Sequence, residues 1–466
     1  MTHAKSAPSP ETLVVDIAGP AHGGSCLART PEGQVIFVRG ALPGERSVQV
    51  ALDPLPDQGS AAGRVKREQQ KQREQQKQPR SFRTGWALEV GQPSPHRVAA
   101  QCPAALAGAG CCDLSFVDPE GALEFKRAVV LDQLARIGHL HLCPVDAEVG
   151  GERGGVSVLS LPPQRGWRTR ARFGVDNEGR AGIRRAASHD LISIDAAECA
   201  QWAPGLVGPL APMRFTPGAQ VAVALGDDGE HSAVELGEHG SHVVLGSGTV
   251  HRRIGDQRWE LPVDSFWQGH GAAARSYAEW IGRHLPAGPG TAWDLYGGAG
   301  AFVPVLARLA DRVDSMDVAS AASEAGRTAL GDGQLGADVR FVSGAIGAHR
   351  PRAVHRRRRR GKTSDSARSR QDAAARSLAT LRTEGGVHAV VLDPPRVGAG
   401  APTIRAIAAA NPRHIVHIGC DPATAARDLA AWAECGYQVE HVTVVDAFGL
   451  THHVELLAHL VPAAGH

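Results

Sequence analysis

The sequence has no stretch of about 18 uncharged apolar residues, so no helix long enough to span a bilayer is expected. Its first residues, MTHAKSAPSPET, lack the apolar core of a secretory signal, which makes the cytoplasm the expected compartment. Cysteine is sparse. Eight in 466 residues, unevenly spaced and without that signal, favour reduced thiols, metal ligands or a nucleophile over disulfides. No H-E-x-x-H or comparable metal spacing occurs among the 22 histidines, and no repeat of fixed period is found. Overall charge excess is missing too, since 50 basic against 48 acidic residues leave +2. Basic residues gather instead in two runs, RVKREQQKQREQQKQPR (64–80) and HRRRRRGK (355–362). Each is readable as a solvated insert or as an arm that contacts phosphates. With 42% apolar and 21% charged residues and a mean hydropathy of -0.19, the chain reads as soluble and globular. Its length suits roughly three domains of about 150 residues each.

Residues 12–52 alternate apolar and polar positions between Gly- and Pro-rich turns, which predicts short strands and a small OB-like β-barrel, an architecture often used to hold nucleic acid. The Gln/Lys/Arg segment that follows breaks the pattern and reads as a linker. Residues 85–260 mix a helical stretch, LEFKRAVVLDQLARIG, with alternating strands such as TRARFGVD, predicting an α+β domain. From about 262 onward apolar strands alternate with helices, the pattern of an α/β, doubly wound parallel sheet. An Arg- and Ser-rich stretch at 347–383 interrupts it and reads as a surface insertion.

Three strand ends carry candidate chemistry. DLYGGAGAF (294–302) leaves a strand and opens a helix, so its glycines could bring backbone N–H groups close to a ligand, or form only a tight turn. Asp317 ends a second strand 21 residues after Tyr296, about where an acid meets ribose hydroxyls in dinucleotide folds. The last glycine of G-x-G-x-x-G falls on Val303, which points to a nucleoside cofactor other than NAD. Asp393, in Asp393-Pro394-Pro395-Arg396, closes the strand HAVVL and projects from the carboxyl edge where such sheets bind ligands. Cys420 ends the strand HIVHIG at the start of a helix, whose dipole favours a thiolate, while Asp421 beside it works against one.

Together DLYGGAGAF, LDPPRVG, IVHIGCDPATAARDL and VVDAFGLTHHVELLAHL resemble the RNA uracil-5-methyltransferases that use S-adenosylmethionine. PVDSFWQGH (262–270) is similar to the segment before that family's catalytic core, and residues 12–52 with FVRGALPGE are similar to its TRAM barrel. The resemblance implies a TRAM-like barrel at 8–56, a basic linker at 57–82, and a central RNA-binding domain at 83–260. It further implies a Rossmann-like methyltransferase domain at 261–466 carrying the 347–383 insertion. It also implies Cys420 as nucleophile, Glu455 as general base, and Gln268, Tyr296, Asp317 and Asp393 as cofactor-binding residues. These types suit the reaction: uracil C5 becomes nucleophilic only after a thiolate adds to C6, and a carboxylate can then remove the C5 proton. The target base must leave its stack to be reached.

The implied partner is RNA, ribosomal 23S RNA rather than transfer RNA, with no membrane and no obligate protein partner. Readings set against it are transfer RNA or another base as substrate, and a non-catalytic RNA-binding protein. Asp421 stands where the family has asparagine, Asp317 where it has glutamate, and Ala301 where it has a polar residue. Some members hold a [4Fe–4S] cluster on four cysteines; Cys102, Cys112 and Cys199 match three, but the second position is Ala109 and Cys111 is out of register. The expectation is therefore packing or relict cysteines ahead of an intact [4Fe–4S] cluster, which stays open as the alternative, and no metal-binding residues are assigned.

Overall fold

The computed structural model describes residues 11–53, 82–145, 155–238, 240–331, 333, 335–347 and 363–463. Both basic runs lie outside them. The first sheet contains β1 (Thr12–Val15), β2 (Ile17–Ala21), β3 (Ser25–Arg29), β4 (Val35–Arg39), β5 (Arg46–Leu52) and β6 (Phe82–Gln92), in the order β1-β5-β6-β4-β3-β2. Alternation sets the faces: Ile36 and Val38 on β4, and Val48, Val50 and Leu52 on β5, turn inward. β6 pairs antiparallel with β5 and parallel with β4, so this sheet continues past the expected limit at residue 56.

After a helical turn, α1 (Pro103–Leu106), comes α2 (Pro119–Arg136), capped by the Asp118 side chain on Gly121 N at 2.8 Å with proline in the first helical position. The strands β7 (Cys143–Pro144) and β8 (Gly155–Ser160) follow. A second antiparallel sheet, ordered β11-β10-β9-β12-β13-β14, uses β9 (Arg170–Val175), β10 (Ala181–Arg184), β11 (Leu191–Ser193), β12 (Gln220–Leu225), β13 (His231–Gly237) and β14 (Gly240–Leu245). A hairpin of β15 (Thr249–Ile254) and β16 (Gln257–Pro262) leads to α3 (Ala273–His284).

The remaining elements alternate: β17 (Thr291–Leu295), α4 (Val303–Leu306), β18 (Arg312–Asp317), α5 (Ser320–Leu330), β19 (Asp338–Ser343), α6 (Thr363–Leu378), β20 (Val387–Leu392), α7 (Ala401–Ala408), β21 (His414–Gly419), α8 (Pro422–Glu434), β22 (Tyr437–Asp446) and β23 (Glu455–Pro462). They form a nine-stranded sheet ordered β19-β18-β17-β20-β21-β23-β22-β8-β7. β17 to β21 are mutually parallel, whereas β23 runs antiparallel to both β21 and β22. Every residue of β17 and β20 is buried, as a strand covered on both faces requires. Two apolar cores flank the sheet, one including Trp293, Val390 and Trp432, the other Trp280, Phe302 and Leu457. The expected surface insertion at 347–383 differs in its second half: Leu378 and Leu381 are buried in the first of these cores, and Ala374 is buried as well. Among the described residues no helix is long and apolar enough to cross a membrane.

Candidate active site

The chain leaves β17 toward β18 and β19 on one side, then returns to place β20 and β21 on the other. The order therefore reverses between β17 and β20, and a crevice opens at their carboxyl ends. Leu295 pairs with Leu392 across these strands, so the next residues, Tyr296 and Asp393, stand on either side of that crevice. β18 ends beside them at Asp317. Because β23 is antiparallel to β21, its beginning lies at the same edge: Gly419 pairs with Leu456, which sets Cys420 against Glu455. Four strand ends and one strand start converge on one place.

The glycine loop fits this edge tightly. A Cβ on Gly297 would stand 2.2 Å from Asp294 Oδ2 and 2.4 Å from Ser315 Oγ, so no larger residue fits there. Tyr296 has φ +61°, the left-handed region that a bulky residue seldom occupies, a strain of the kind that concentrates at functional sites. Gly298 N donates to Asp317 Oδ2 at 3.0 Å and Ala319 N to Asp317 Oδ1 at 2.7 Å, which fixes the acid over the loop. Gln268 Nε2 donates to Asp393 Oδ2 at 3.0 Å.

These side chains line one cavity of about 700 Å³, within the range of small-molecule sites. All six residues singled out in the sequence, Gln268, Tyr296, Asp317, Asp393, Cys420 and Glu455, are on its wall. Sequence reasoning assigned no role to Arg396, Asp294 or Phe266. Arg396 reaches this cavity and a second one of about 240 Å³ behind Cys420, which the loop after β2 and His452 also line. Asp294 heads the motif already singled out and lies buried under the glycine loop, accepting from Ser315 Oγ at 2.8 Å. Phe266, 68% exposed at the cavity mouth, offers a flat apolar face to a base or nucleoside.

The electrostatics run against ready ionisation. Burial, then the charge of Asp294, pushes the Asp393 carboxyl up to about 7, and burial does the same for Asp294. Glu455 is raised well above the usual carboxylate range, first by burial and then by Asp393, and its Oε2 has no hydrogen-bond partner. The Cys420 thiol is pushed up to about 12 by burial, with Glu455 and Asp393 adding to the rise and Arg396 opposing it. The helix dipole anticipated from sequence does not prevail, because a half-buried thiol facing two carboxyl groups is costly to charge. A cation entering the cavity would favour the ionised form of every one of these groups.

A separate cluster corrects the placement of Cys111. Cys102, Cys111, Cys112 and Cys199 bring their sulfurs within 4.8 Å of one another. Cys111 Sγ lies 4.0 Å from Cys102 Sγ and 3.3 Å from Cys199 Sγ, so the residue out of register in the sequence takes the place that Ala109 leaves empty. Gly108, at φ +95°, turns the chain between Cys102 and Cys111 and makes this possible. Ala200 N and Gln201 Nε2 point at the sulfurs of Cys102 and Cys112 at 3.4 and 3.2 Å.

Comparison with known proteins agrees with this architecture. The family model "tRNA (Uracil-5-)-methyltransferase" matches residues 376–461, and the TRAM domain model matches residues 11–53. An uncharacterised RNA methyltransferase of Corynebacterium efficiens is 39% identical, over 96% of this chain and 94% of its own. The 23S rRNA (uracil(1939)-C(5))-methyltransferase of Halomonas elongata is 29% identical, over 94% of this chain and 87% of its own. The crystal structure of the Pyrococcus abyssi tRNA (uracil-54, C5)-methyltransferase with S-adenosyl-L-homocysteine shares the fold, with a TM-score of 0.61, 17% identity, and coverage of 96% of this chain and 99% of that one. With a fold of this kind and relatives of this likeness along its whole length, the chain belongs to the RNA (uracil-5-)-methyltransferase family.

Proposed function

We propose that the protein methylates uridine C5 in RNA, with 23S ribosomal RNA as substrate, using Cys420 as nucleophile and Glu455 as general base. The observation that carries this reading is the β21–β23 register, which sets a thiol and a carboxyl group side by side on the wall of the cavity. S-adenosylmethionine would supply the methyl group and a sulfonium charge in that cavity. Tyr296, Asp317 and the glycine loop would hold its nucleoside, and Asp393 with Gln268 its polar end. Cys420, as thiolate, would form a bond to C6 of a flipped uracil, with the electron pair of the C5–C6 bond moving so that C5 can take the methyl group while that group's bond to the sulfonium sulfur breaks and S-adenosylhomocysteine leaves. Glu455, as carboxylate, then takes the C5 proton, and the sulfur–C6 bond breaks to free the enzyme. The Halomonas relative, alike along nearly the whole chain, supports ribosomal RNA as the substrate class.

Nucleoside mass spectrometry of unmodified 23S and transfer RNA, incubated with S-adenosylmethionine and either wild type or Cys420→Ala, tests the reading. New 5-methyluridine in 23S RNA with wild type alone is the expected result. Transfer RNA modified instead moves the substrate, and no product with retained RNA binding points to a non-catalytic binder. Glu455→Gln is expected to transfer the methyl group and then stall as a covalent enzyme–RNA complex, visible as a shifted band on a denaturing gel. Free, fully turned-over product from that variant rules out Glu455 as the base.

The four cysteines fit a thiolate-bound metal group by donor set: four sulfurs converge, with N–H donors aimed at two of them. Cys102, Cys111, Cys112 and Cys199 would hold a [4Fe–4S] cluster after their sulfurs spread, because a cubane binds each thiolate to a separate iron. Their spacing as it stands, 3.3 to 4.0 Å for three of the pairs and within 4.8 Å for all, is nearer that of a single tetrahedral ion, for which bonds of about 2.3 Å put sulfurs about 3.8 Å apart. Iron, zinc and sulfide analysis of anaerobically purified protein separates the two. Cys111→Ser is expected to lower the metal content by at least half; full occupancy in that variant excludes Cys111 as a ligand.

A further inference from the structure

The second cavity joins two parts of the chain that the sequence keeps 400 residues apart: the loop after β2, at the edge of the N-terminal sheet, and the Cys420-Asp421 pair at the head of α8. There His22 Nε2 stands 3.2 Å from Asp421 Oδ2. The other carboxylate oxygen, Oδ1, accepts from Thr424 N at 2.9 Å and so caps α8. Both oxygens of the acid beside the nucleophile therefore have partners other than the thiol. One partner belongs to the helix, and the other comes from a different domain.

Resting on the proposed function, we infer that His22 is a positioning residue for the nucleophile: it binds the Asp421 carboxylate and holds it in its capping orientation, so that Cys420 can ionise beside an acid. The need for such a residue follows from the surroundings. Glu455 on β23 and Asp393 after β20 oppose a thiolate, and Arg396 on the same segment as Asp393 favours one. In the loop before β23, the His452 ring is bound to Asp113, while burial and its histidine neighbour hold His453 down to about 4, which leaves it neutral. α2 presents only Phe125 and Val129 to this cavity. A third carboxyl group directly adjoins Cys420 in the chain, and its two oxygens are held by Thr424 N and His22 Nε2. Through His22 the N-terminal sheet thereby acts on the reacting sulfur without touching it.

The test measures the thiol itself. Alkylation of Cys420 by iodoacetamide, followed across pH by mass spectrometry of the peptide that carries it, needs neither RNA nor cofactor. In His22→Ala the profile is expected to move to higher pH, with alkylation near pH 8 about tenfold slower than wild type. In His22→Ala/Asp421→Asn it is expected to return to the wild-type profile or below it, because asparagine caps a helix as well as aspartate but carries no charge. Single-turnover methyl transfer should follow the same order. A His22→Ala profile that overlays wild type overturns the inference, and so does a double variant as slow as His22→Ala. A loss of RNA affinity with unchanged alkylation also overturns it, since His22 would then be an RNA contact. Wild-type protein that forms no 5-methyluridine defeats the proposed function instead, while the alkylation series still decides the role of His22.

Discussion

Asp393 stands near the midpoint of its titration at neutral pH, because burial and the charge of Asp294 raise its carboxyl to about 7. A cation in the cavity favours the ionised form and lowers that value. Binding of S-adenosylmethionine at pH 6.5 is therefore expected to release roughly half a proton or more. S-adenosylhomocysteine, which lacks the sulfonium charge, should release less. Calorimetry in buffers of different ionisation enthalpy reads the difference directly, and Asp393→Asn should remove it; equal release by the two ligands would show that the sulfonium does not lie near this acid. Gly297 gives a second residue-scale expectation. A methyl group there meets Asp294 and Ser315 at distances no neighbour can accept, so Gly297→Ala should lower stability by about 1–3 kcal/mol and weaken cofactor binding. Thermal unfolding with and without cofactor separates those two effects.

At the scale of elements, β21, β22 and β23 carry a row of histidines across the edge opposite the active site. His414 Nδ1 faces His459 Nε2 at 3.2 Å, the His414 and His459 rings stack at 5.5 Å, and His441 stacks on His459 from the other side at 6.2 Å. Burial first, then His414, His284 and His441, hold His459 down to about 4. A histidine depressed in the folded state stabilises the protein above its unfolded pKa of about 6.5 and loses that contribution as pH falls through the folded value. Stability should therefore drop between about pH 6.5 and pH 4, with His459 accounting for about 3 kcal/mol of the loss. His459→Asn should flatten that part of the pH profile; an unchanged slope would show that other groups control it. None of this row was legible in the sequence, where the histidines fall on separate strands and meet only through register. The strand ends with their glycines, Asp393 and Cys420 were legible, because period and turn residues are local signals, whereas Glu455 came only with the family resemblance. β6 was assigned to the wrong side of a boundary because its partners, β4 and β5, precede a long excursion, and no local pattern records a non-local pairing. Cys111 departs from its expected place for a related reason: spacing along the chain does not fix position in space, and the turn at Gly108 uncouples the two.

Across the whole molecule, the segment 447–454 that leads into Glu455 is held from every side. Trp167 Nε1 donates to Gly449 O at 3.1 Å, Leu114 N to Leu450 O at 3.0 Å, and His452 N to Asp113 Oδ1 at 3.1 Å. Asp113 and Leu114 directly follow Cys112, so the cysteine cluster and Glu455 share a support. The fourth attachment is Lys126 on α2, fully buried, whose Nζ binds Asp446 and donates to Phe448 O at 3.1 Å. Its helix neighbours Phe125 and Val129 enter the core of the N-terminal sheet, while Val130 and Leu134 enter that of the nine-stranded sheet. α2 thus fastens the N-terminal sheet to the catalytic segment through one charged pair at its centre. Breaking such a pair from one side leaves a buried charge without a partner and costs about 3–5 kcal/mol, whereas neutralising both partners costs much less. Lys126→Met is therefore expected to speed amide hydrogen exchange in 447–454 and to slow methyl transfer, and Lys126→Met/Asp446→Asn should recover a large part of both. If the double variant exchanges as fast as the single one, the lysine acts through its hydrogen bond to Phe448 O and not through its charge. Exchange confined to α2 in either variant would show that the catalytic segment is held by Trp167 and the Asp113-Leu114 turn alone.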